Sequence, residues 1–330
     1  MSNILVTGSE GHLMQSVIPK LLDAGHTVIG IDNLSRHKSK GNINSSRYSF
    51  IKMDASGKEV EDVFKYHNIE YVIQAAATIF GVGGFNKYCA DILSTDLKIQ
   101  TNMLELSRSH GIKRFIYISS SMVYETCVQK EEGNGEFEPF DSFVPQTDYG
   151  LSKLTGERLV LAYNKQYGLD YLIWRPFNIL NPAEIRESYQ GYSHVYADFI
   201  DELIGEKVET LNLIGTGNQV RCFTWIEDVS HIIANNLNPE NHNKTFNIGN
   251  VQPVTMKELA EKIHRIGVRM GMRVDIPLRF NTAKSFSDDV QYRVPFMGRF
   301  TRVFGEHKFK PLDESLEECI NYYIRAKVKW

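Results

Sequence analysis

Tyr149 and Lys153 stand four residues apart in the stretch Tyr149-Gly150-Leu151-Ser152-Lys153, which follows Pro145 and opens a helical pattern reaching Tyr167. Side chains at that spacing share one helical face. An ammonium beside a phenol favours the phenolate and draws the tyrosine down from its ordinary pKa of about 10. A phenolate so placed takes the proton of a substrate hydroxyl while the same carbon gives hydride to a nicotinamide. Taken alone, the spacing equally describes a solvated helix face. Ser119-Ser120-Ser121-Met122-Val123-Tyr124 closes the apolar run before it. Strand ends of that kind border the ligand site of a parallel sheet.

A second constellation could hold the dinucleotide. The first apolar run, Asn3 to Thr7, passes into Gly8-x-x-Gly11-x-x-Met14. Glycines there allow a tight turn and close approach of a pyrophosphate, which the following helix N-terminus stabilises. His12 and Leu13 begin that helix and count among the expected cofactor contacts. Met14 replaces a third glycine, which bears on helix–strand spacing rather than on the phosphates. Asp32 closes the next strand, where an acidic side chain accepts hydrogen bonds from the adenosine ribose and repels a 2′-phosphate, so NAD is expected. Arg36 and Lys38 just downstream keep NADP as an alternative, and a turn cap before Asn33 is the plain reading of Asp32. Asp54, ending the following strand, suits either the adenine edge or a turn.

The elements that must position these residues alternate. Short apolar runs at Asn3–Thr7, Thr27–Ile31, Tyr48–Met53, Tyr71–Gln74 and Phe115–Ser119 are separated, for the most part, by helical patterns. These include a helix ending at Gly25, then Lys58–His67, Ile92–His110 and Tyr149–Tyr167. Strand–helix alternation with near-continuously apolar strands predicts an α/β fold, a doubly wound parallel sheet of Rossmann type covered on both faces. After Trp174-Arg175-Pro176 the texture changes. Asn181–Tyr196 reads as a polar loop over the site. The stretch Arg221–Ile226, a helix Asp228–Leu237 and a strand Thr245–Ile248 read as a return to the main sheet. Thr255–Trp330 reads as helices plus a mobile segment, Arg279–Arg302. The expected organisation is a Rossmann part over 1–175 with about 223–250 returning to it. A smaller, interleaved lobe takes 176–222 and 251–330.

Bulk properties narrow the partners. A net charge of −3 gives neither a basic field for nucleic acid nor a polybasic membrane anchor. Cys89, Cys127, Cys222 and Cys319 form no CxxC or CxxH cluster, so no metal is expected and a reducing compartment fits. With no long apolar run and no signal peptide in view, a cytoplasmic protein is expected.

Together with Ala75-Ala76-Ala77, Arg175-Pro176-Phe177-Asn178, Gly215-x-Gly217-x-Gln219-x-Arg221-x-Phe223, Asp228-Val229 and Asn247-Ile248-Gly249, these motifs resemble the extended short-chain dehydrogenase/reductase family. Nucleotide-sugar epimerases and dehydratases are the nearest in appearance. The resemblance spans nearly the whole chain. It implies Tyr149 as base, Lys153 as its electrostatic partner and a ligand of the nicotinamide ribose, and Ser120 as third member. It also implies cofactor contacts at Ala75 and Ala76 and a nucleotide-diphosphate sugar held by Asn178, Arg221 and Arg293, where guanidinium forks suit phosphates. Arg221 also suits an exposed strand position and Arg293 a surface charge. A homodimer through Ile92–His110 and Tyr149–Tyr167 is the family's usual assembly.

The reaction is narrowed by what is missing. The sugar 4,6-dehydratases carry an Asp-Glu pair where this chain has Ser121 and Met122, and the UDP-glucuronate decarboxylases a Glu at the Met122 position. Gly81-Val82-Gly83-Gly84 with Tyr88-Cys89-Ala90-Asp91 resembles the loop of GDP-fucose synthase and GDP-mannose 3,5-epimerase, which makes Gly83 a substrate contact. Those enzymes place an acid/base Cys where Met122 stands, and a thioether transfers no proton. Glu125, Lys87 and His194 are the substitutes in view, although a loop histidine is commonly just solvated. Epimerisation at C4 through transient oxidation needs only Tyr149, Lys153 and NAD, and is the expected reaction. C4 dehydrogenation, ketone reduction, dehydration and 3,5-epimerisation are its rivals, and a catalytically silent NAD-binding protein is the non-enzymatic alternative.

Overall fold

The structure is a computed structural model; it describes residues 1–36, 41, 43–79, 82–125, 145–186, 193–237, 240, 243–283 and 290–327. Lys38, Gly81 and Cys127, and parts of the Asn181–Tyr196 and Arg279–Arg302 stretches, lie outside the described residues.

Six strands, β1 (Asn3–Thr7), β2 (Thr27–Asp32), β3 (Tyr48–Lys52), β4 (Tyr71–Gln74), β5 (Arg114–Ile118) and β6 (Tyr171–Pro176), join with Lys244–Ile248 in one seven-stranded sheet. Its order is Lys244–Ile248, β6, β5, β4, β1, β2, β3, and every pairing is parallel. β4 and β5 are buried throughout, as strands covered on both faces must be.

Along β1 the side chains alternate between two cores. Ile4 and Val6 pack with helices α1 (His12–Asp23) and, further along the chain, Ile226–Asn235. Leu5 packs on the other face with α2 (Val60–His67), α4 (Cys89–Ser109) and α5 (Asp148–Tyr167). A short helix, α3 (Val82–Lys87), precedes α4. The sheet with its flanking helices is the doubly wound arrangement expected from the alternation.

A third core is built from α6 (Val195–Ile200), α8 (Met256–Arg269), α10 (Leu312–Lys327) and the strand Thr210–Ile214. α8 opens with a reciprocal capping box between Thr255 and Glu258. Between these two helices, α9 (Gly298–Phe304) returns to the main sheet, where Phe304 packs on Trp174 and Phe246. With α6 and α9 placed, Ile226–Asn235 is α7.

Two expectations are corrected. Arg221–Ile226 does not enter the main sheet, because Lys244–Ile248 fills the place beside β6, pairing from Leu172 to Pro176. Instead Val220–Arg221 lies between Val254–Thr255 and Tyr292–Arg293 in a three-stranded sheet, and Thr224–Trp225 pairs with Ile179–Leu180. The segment Arg279–Arg302 is not wholly irregular either. Arg279–Ala283 pairs in parallel with Thr210–Ile214, and Gly298 starts α9. Its polarity is that of an edge strand whose side chains are mostly exposed.

Candidate active site

At the carboxyl ends of β1, β2, β4, β5 and β6 the two parts of the chain enclose a cleft of about 710 Å³. That is where an open parallel sheet presents a ligand site. Its wall includes Gly8, Gly11, His12, Leu13, Asp32, Asn33, Asp54, Ala75 and Ala76 at one end. Ser120, Tyr149 and Lys153 stand in the middle, and Asn178, Arg221 and Arg293 toward the other end. Gly83 falls in α3, of which Phe85 borders the cleft.

The dinucleotide end is shaped by close backbone approach. Gly8 has φ +66°, and a Cβ there would stand 2.8 Å from Ala76 Cα. Thr7 Oγ1 donates to Gln74 Oε1 (2.7 Å) and accepts from the Ala75 and Ala76 amides (3.1 Å each), which fixes the chain where it leaves β4. Asp32 is held by the Glu10 amide on one oxygen (3.1 Å) and the Leu34 amide on the other (2.7 Å). Asn33 donates to Asp54 (3.1 Å), and Ser56 does so through both its amide and its hydroxyl. Burial opposes ionisation of Asp54, but these hydrogen bonds outweigh it and hold the carboxyl below its ordinary range. Met14, in place of a third glycine, is buried in the core between α1 and the sheet. A glycine cradle at a helix N-terminus and a pinned carboxylate at the end of β2 fit NAD.

In the middle of the cleft, α5 is started by Thr147, whose hydroxyl accepts from the Gly150 amide (3.0 Å). That start places Tyr149 in the first turn, its ring stacked on Phe85 with centroids 4.6 Å apart. The Ser120 hydroxyl accepts from the Met122 amide (3.1 Å) and favours the Tyr149 phenolate. Lys153 Nζ donates to the Ile118 carbonyl (3.0 Å) and lies 5.8 Å from the centroid of the Tyr149 ring. The sequence led us to expect a phenol drawn down by the lysine. In this structure burial dominates and pushes Tyr149 up, against the opposing effects of Ser120 and Arg293. Burial likewise pulls Lys153 down, against Asp96 and Glu157. Both groups are almost wholly buried, so desolvation of the charged forms outweighs their neighbours.

Toward the far end, Asn178 adopts φ +29° and donates to the Cys222 carbonyl (2.8 Å). Its Oδ1 accepts from Arg293 (2.9 Å), and the Arg293 guanidinium also contacts the Met122 sulfur. Arg221 and Arg293 are register partners in the three-stranded sheet.

Of the three substitute acid/base groups, Lys87 is exposed and lies over the Tyr88 ring. Glu125 borders the cleft, but both its oxygens accept from Thr147 (2.9 and 2.8 Å). His194 is not solitary: its Nδ1 lies 2.8 and 2.9 Å from the Glu184 oxygens, and Tyr196 donates to Glu184 (2.9 Å). Attraction to Glu184 raises His194, whose side chain keeps 46% exposure. Burial opposes ionisation of Glu184, yet His194 holds it down at about 2.

Sequence reading missed Phe85, Asp96 and Glu184. Glu184 lies in the polar loop ten residues before His194, and neither periodicity nor a motif marks it. Among the described residues no group of three or more His, Cys, Asp or Glu could hold a metal, and no helix is long and apolar enough to cross a membrane.

The sheet, the glycine turn and the cleft at the strand ends define a dinucleotide-binding α/β enzyme fold. The chain belongs to the NAD dependent epimerase/dehydratase family, whose sequence model matches residues 4–249, within the extended short-chain dehydrogenases/reductases. A Methanocaldococcus jannaschii protein named "Putative UDP-glucose 4-epimerase" is 31% identical over 81% of this chain and 83% of its own length. The Arabidopsis thaliana GDP-mannose 3,5-epimerase is 28% identical over 79% of this chain and 68% of its own. Among solved structures, the Thermotoga maritima UDP-glucose 4-epimerase with UDP-glucose superposes with a TM-score of 0.79 at 25% identity, covering 98% of this chain and 99% of that one. NAD is the cofactor of this family.

Proposed function

We propose that this protein is a nucleotide-sugar epimerase acting through transient oxidation at C4. The observation that carries the reading is the pairing of Tyr149 and Lys153 with Ser120 in mid-cleft, beside a thioether, Met122, that holds no transferable proton. Bound NAD supplies the hydride acceptor and, after the keto sugar turns over, the donor to its opposite face. Tyr149 Oη takes the C4 hydroxyl proton and returns it. Ser120 hydrogen-bonds the same oxygen, and Lys153 supplies positive charge beneath it. Asp32 would bind the adenosine ribose, and Asn178 with the paired arginines the diphosphate. In this reading 1–175 with 223–250 serve NAD, and 176–222 with 251–330 serve the nucleotide sugar. Assembly as a homodimer through α4 and α5 belongs to the same reading.

The Glu184–His194 pair favours a second reading. A histidine held toward its protonated form and open to the cleft suits proton transfer at a carbon beside a C4 ketone, as 3,5-epimerisation or dehydration would need.

Turnover of a nucleotide-sugar panel in heavy water tests both. A C4 epimer free of carbon-bound deuterium supports the first reading. Deuterium at C3 or C5, or loss of water, would replace it with the second.

A further inference from the structure

Glu10 stands inside the phosphate loop, yet its side chain serves another part of the chain. Gly8, Gly11 and His12 border the cleft, whereas Glu10 is 4% exposed. One of its carboxylate oxygens accepts from the Tyr48 hydroxyl (3.1 Å) and the other from the Gly41 amide. Tyr48 opens β3, and Gly41 lies in the stretch that joins β2 to β3. Burial pushes the Tyr48 phenol up, so it stays a donor. A carboxylate taken out of water needs its oxygens engaged in this way.

The neighbouring residues make room for the tie. A Cβ at Gly30 of β2 would stand 2.6 Å from the Tyr48 hydroxyl oxygen and 2.8 Å from Ser9 Cβ, so the phenol meets the loop over a glycine. From α1, Gln15 donates to the Ser9 carbonyl (2.8 Å), and its side chain occupies the space that a Gly41 Cβ would need. The Glu10 amide donates to Asp32 Oδ2 (3.1 Å). The β2–β3 connection begins with Asn33, Ser35 and Arg36, which border the cleft beside Asp32. Through its backbone and its side chain, Glu10 therefore joins the phosphate loop, the end of β2 and the connection that follows it.

We propose that Glu10 is a positioning residue for the adenosine diphosphate half of the dinucleotide, clasping the β2–β3 connection to the phosphate loop before NAD arrives. This role concerns the cofactor alone and holds whichever sugar reaction the cleft performs. A connection already clasped has little order left to lose on binding, which is how preorganisation adds affinity. In Glu10→Gln the amide oxygen still accepts from Gly41 while the amide nitrogen donates to the phenol oxygen, so the clasp survives without its charge. Glu10→Ala removes it.

Calorimetric titration of the full chain, freed of nucleotide, with NAD and separately with ADP tests the role in wild type, Glu10→Ala, Glu10→Gln and Tyr48→Phe. Glu10→Ala is expected to weaken NAD and ADP by the same factor, about 10- to 100-fold, as for loss of hydrogen bonds to a charged group. Glu10→Gln should stay within about threefold of wild type, and Tyr48→Phe should lose about three- to tenfold for both ligands. Wild-type affinity in Glu10→Ala would overturn the proposal. So would a loss for NAD without an equal loss for ADP, which would place the effect at the nicotinamide end. Glu10→Gln as weak as Glu10→Ala would also overturn it, by making the charge and not the clasp the cause. If Glu10→Ala does not fold, Tyr48→Phe decides by the same comparison, and undiminished affinity for both ligands overturns the proposal.

Discussion

Arg293 and Met122 lie 171 residues apart in the chain, yet the guanidinium rests against the thioether sulfur and reaches Asn178 Oδ1 (2.9 Å) from its other nitrogen. The position that carries an acid or a thiol in the related enzymes considered above here meets a cation. That cation favours the Tyr149 phenolate and stands in register with Arg221.

Arg293→Ala is therefore expected to have two effects. The KM for a nucleotide sugar should rise about 10- to 100-fold, as for loss of a hydrogen bond to a charged group. The acid limb of kcat should also move to higher pH, because Tyr149 loses a neighbouring positive charge. Arg293→Lys should restore the limb more fully than the KM, since an ammonium lacks the bidentate fork. Steady-state kinetics across pH separate the two effects, and an unchanged KM would remove Arg293 from the diphosphate site.

Tyr149→Phe should lower turnover by about 10²–10⁴-fold. The Phe85 stacking partner remains, so NAD affinity and melting temperature should stay near wild type. Calorimetric NAD binding beside the rate measurement checks this; retained turnover would assign the proton transfer to another group.

Asp32→Ser should erode the preference for NAD over NADP by at least about tenfold, by removing a charge that repels a 2′-phosphate. The Glu10 and Leu34 amides keep an oxygen within reach in the variant. Competition binding with the two dinucleotides gives the ratio, and an unaltered ratio would place discrimination elsewhere.

The Glu184–His194 pair gives stability a defined pH window. Glu184 falls from 4.5 to about 2 on folding, so its share is present above about pH 4.5 and is lost as pH drops through 2. His194 rises from 6.5, so its share is full below that value and is lost as pH climbs through the folded pKa. Glu184→Gln should accordingly destabilise the protein most between about pH 4.5 and 6.5. Melting curves across pH would show a gap to wild type widest in that interval, and a constant gap would count against the pair.

Gly8→Ala should abolish NAD binding and cost more than about 1 kcal/mol. The added Cβ meets backbone at 2.8 Å in a conformation that L side chains rarely adopt. A variant that binds NAD normally would show that the β1 turn and Ala76 can separate.

The alternation of strands and helices, the glycine turn with Asp32, and the Tyr149–Lys153 spacing were legible in the sequence because each is set by local chemistry. Strand periodicity, turn conformation and a shared helical face are properties of short stretches. The places where the reading failed depend on distant partners. Arg221–Ile226 is apolar enough for the main sheet, but which strand lies beside β6 is decided by Lys244–Ile248. Only the tertiary structure brings Arg221 into register with Arg293 and Glu184 under His194. The sign of the Tyr149 shift belongs to the same class: four-residue spacing fixes the neighbour, but the burial that outweighs it comes from Phe85 and the closed side of the cleft. Desolvation depends on everything packed around a group, which no local stretch of sequence contains.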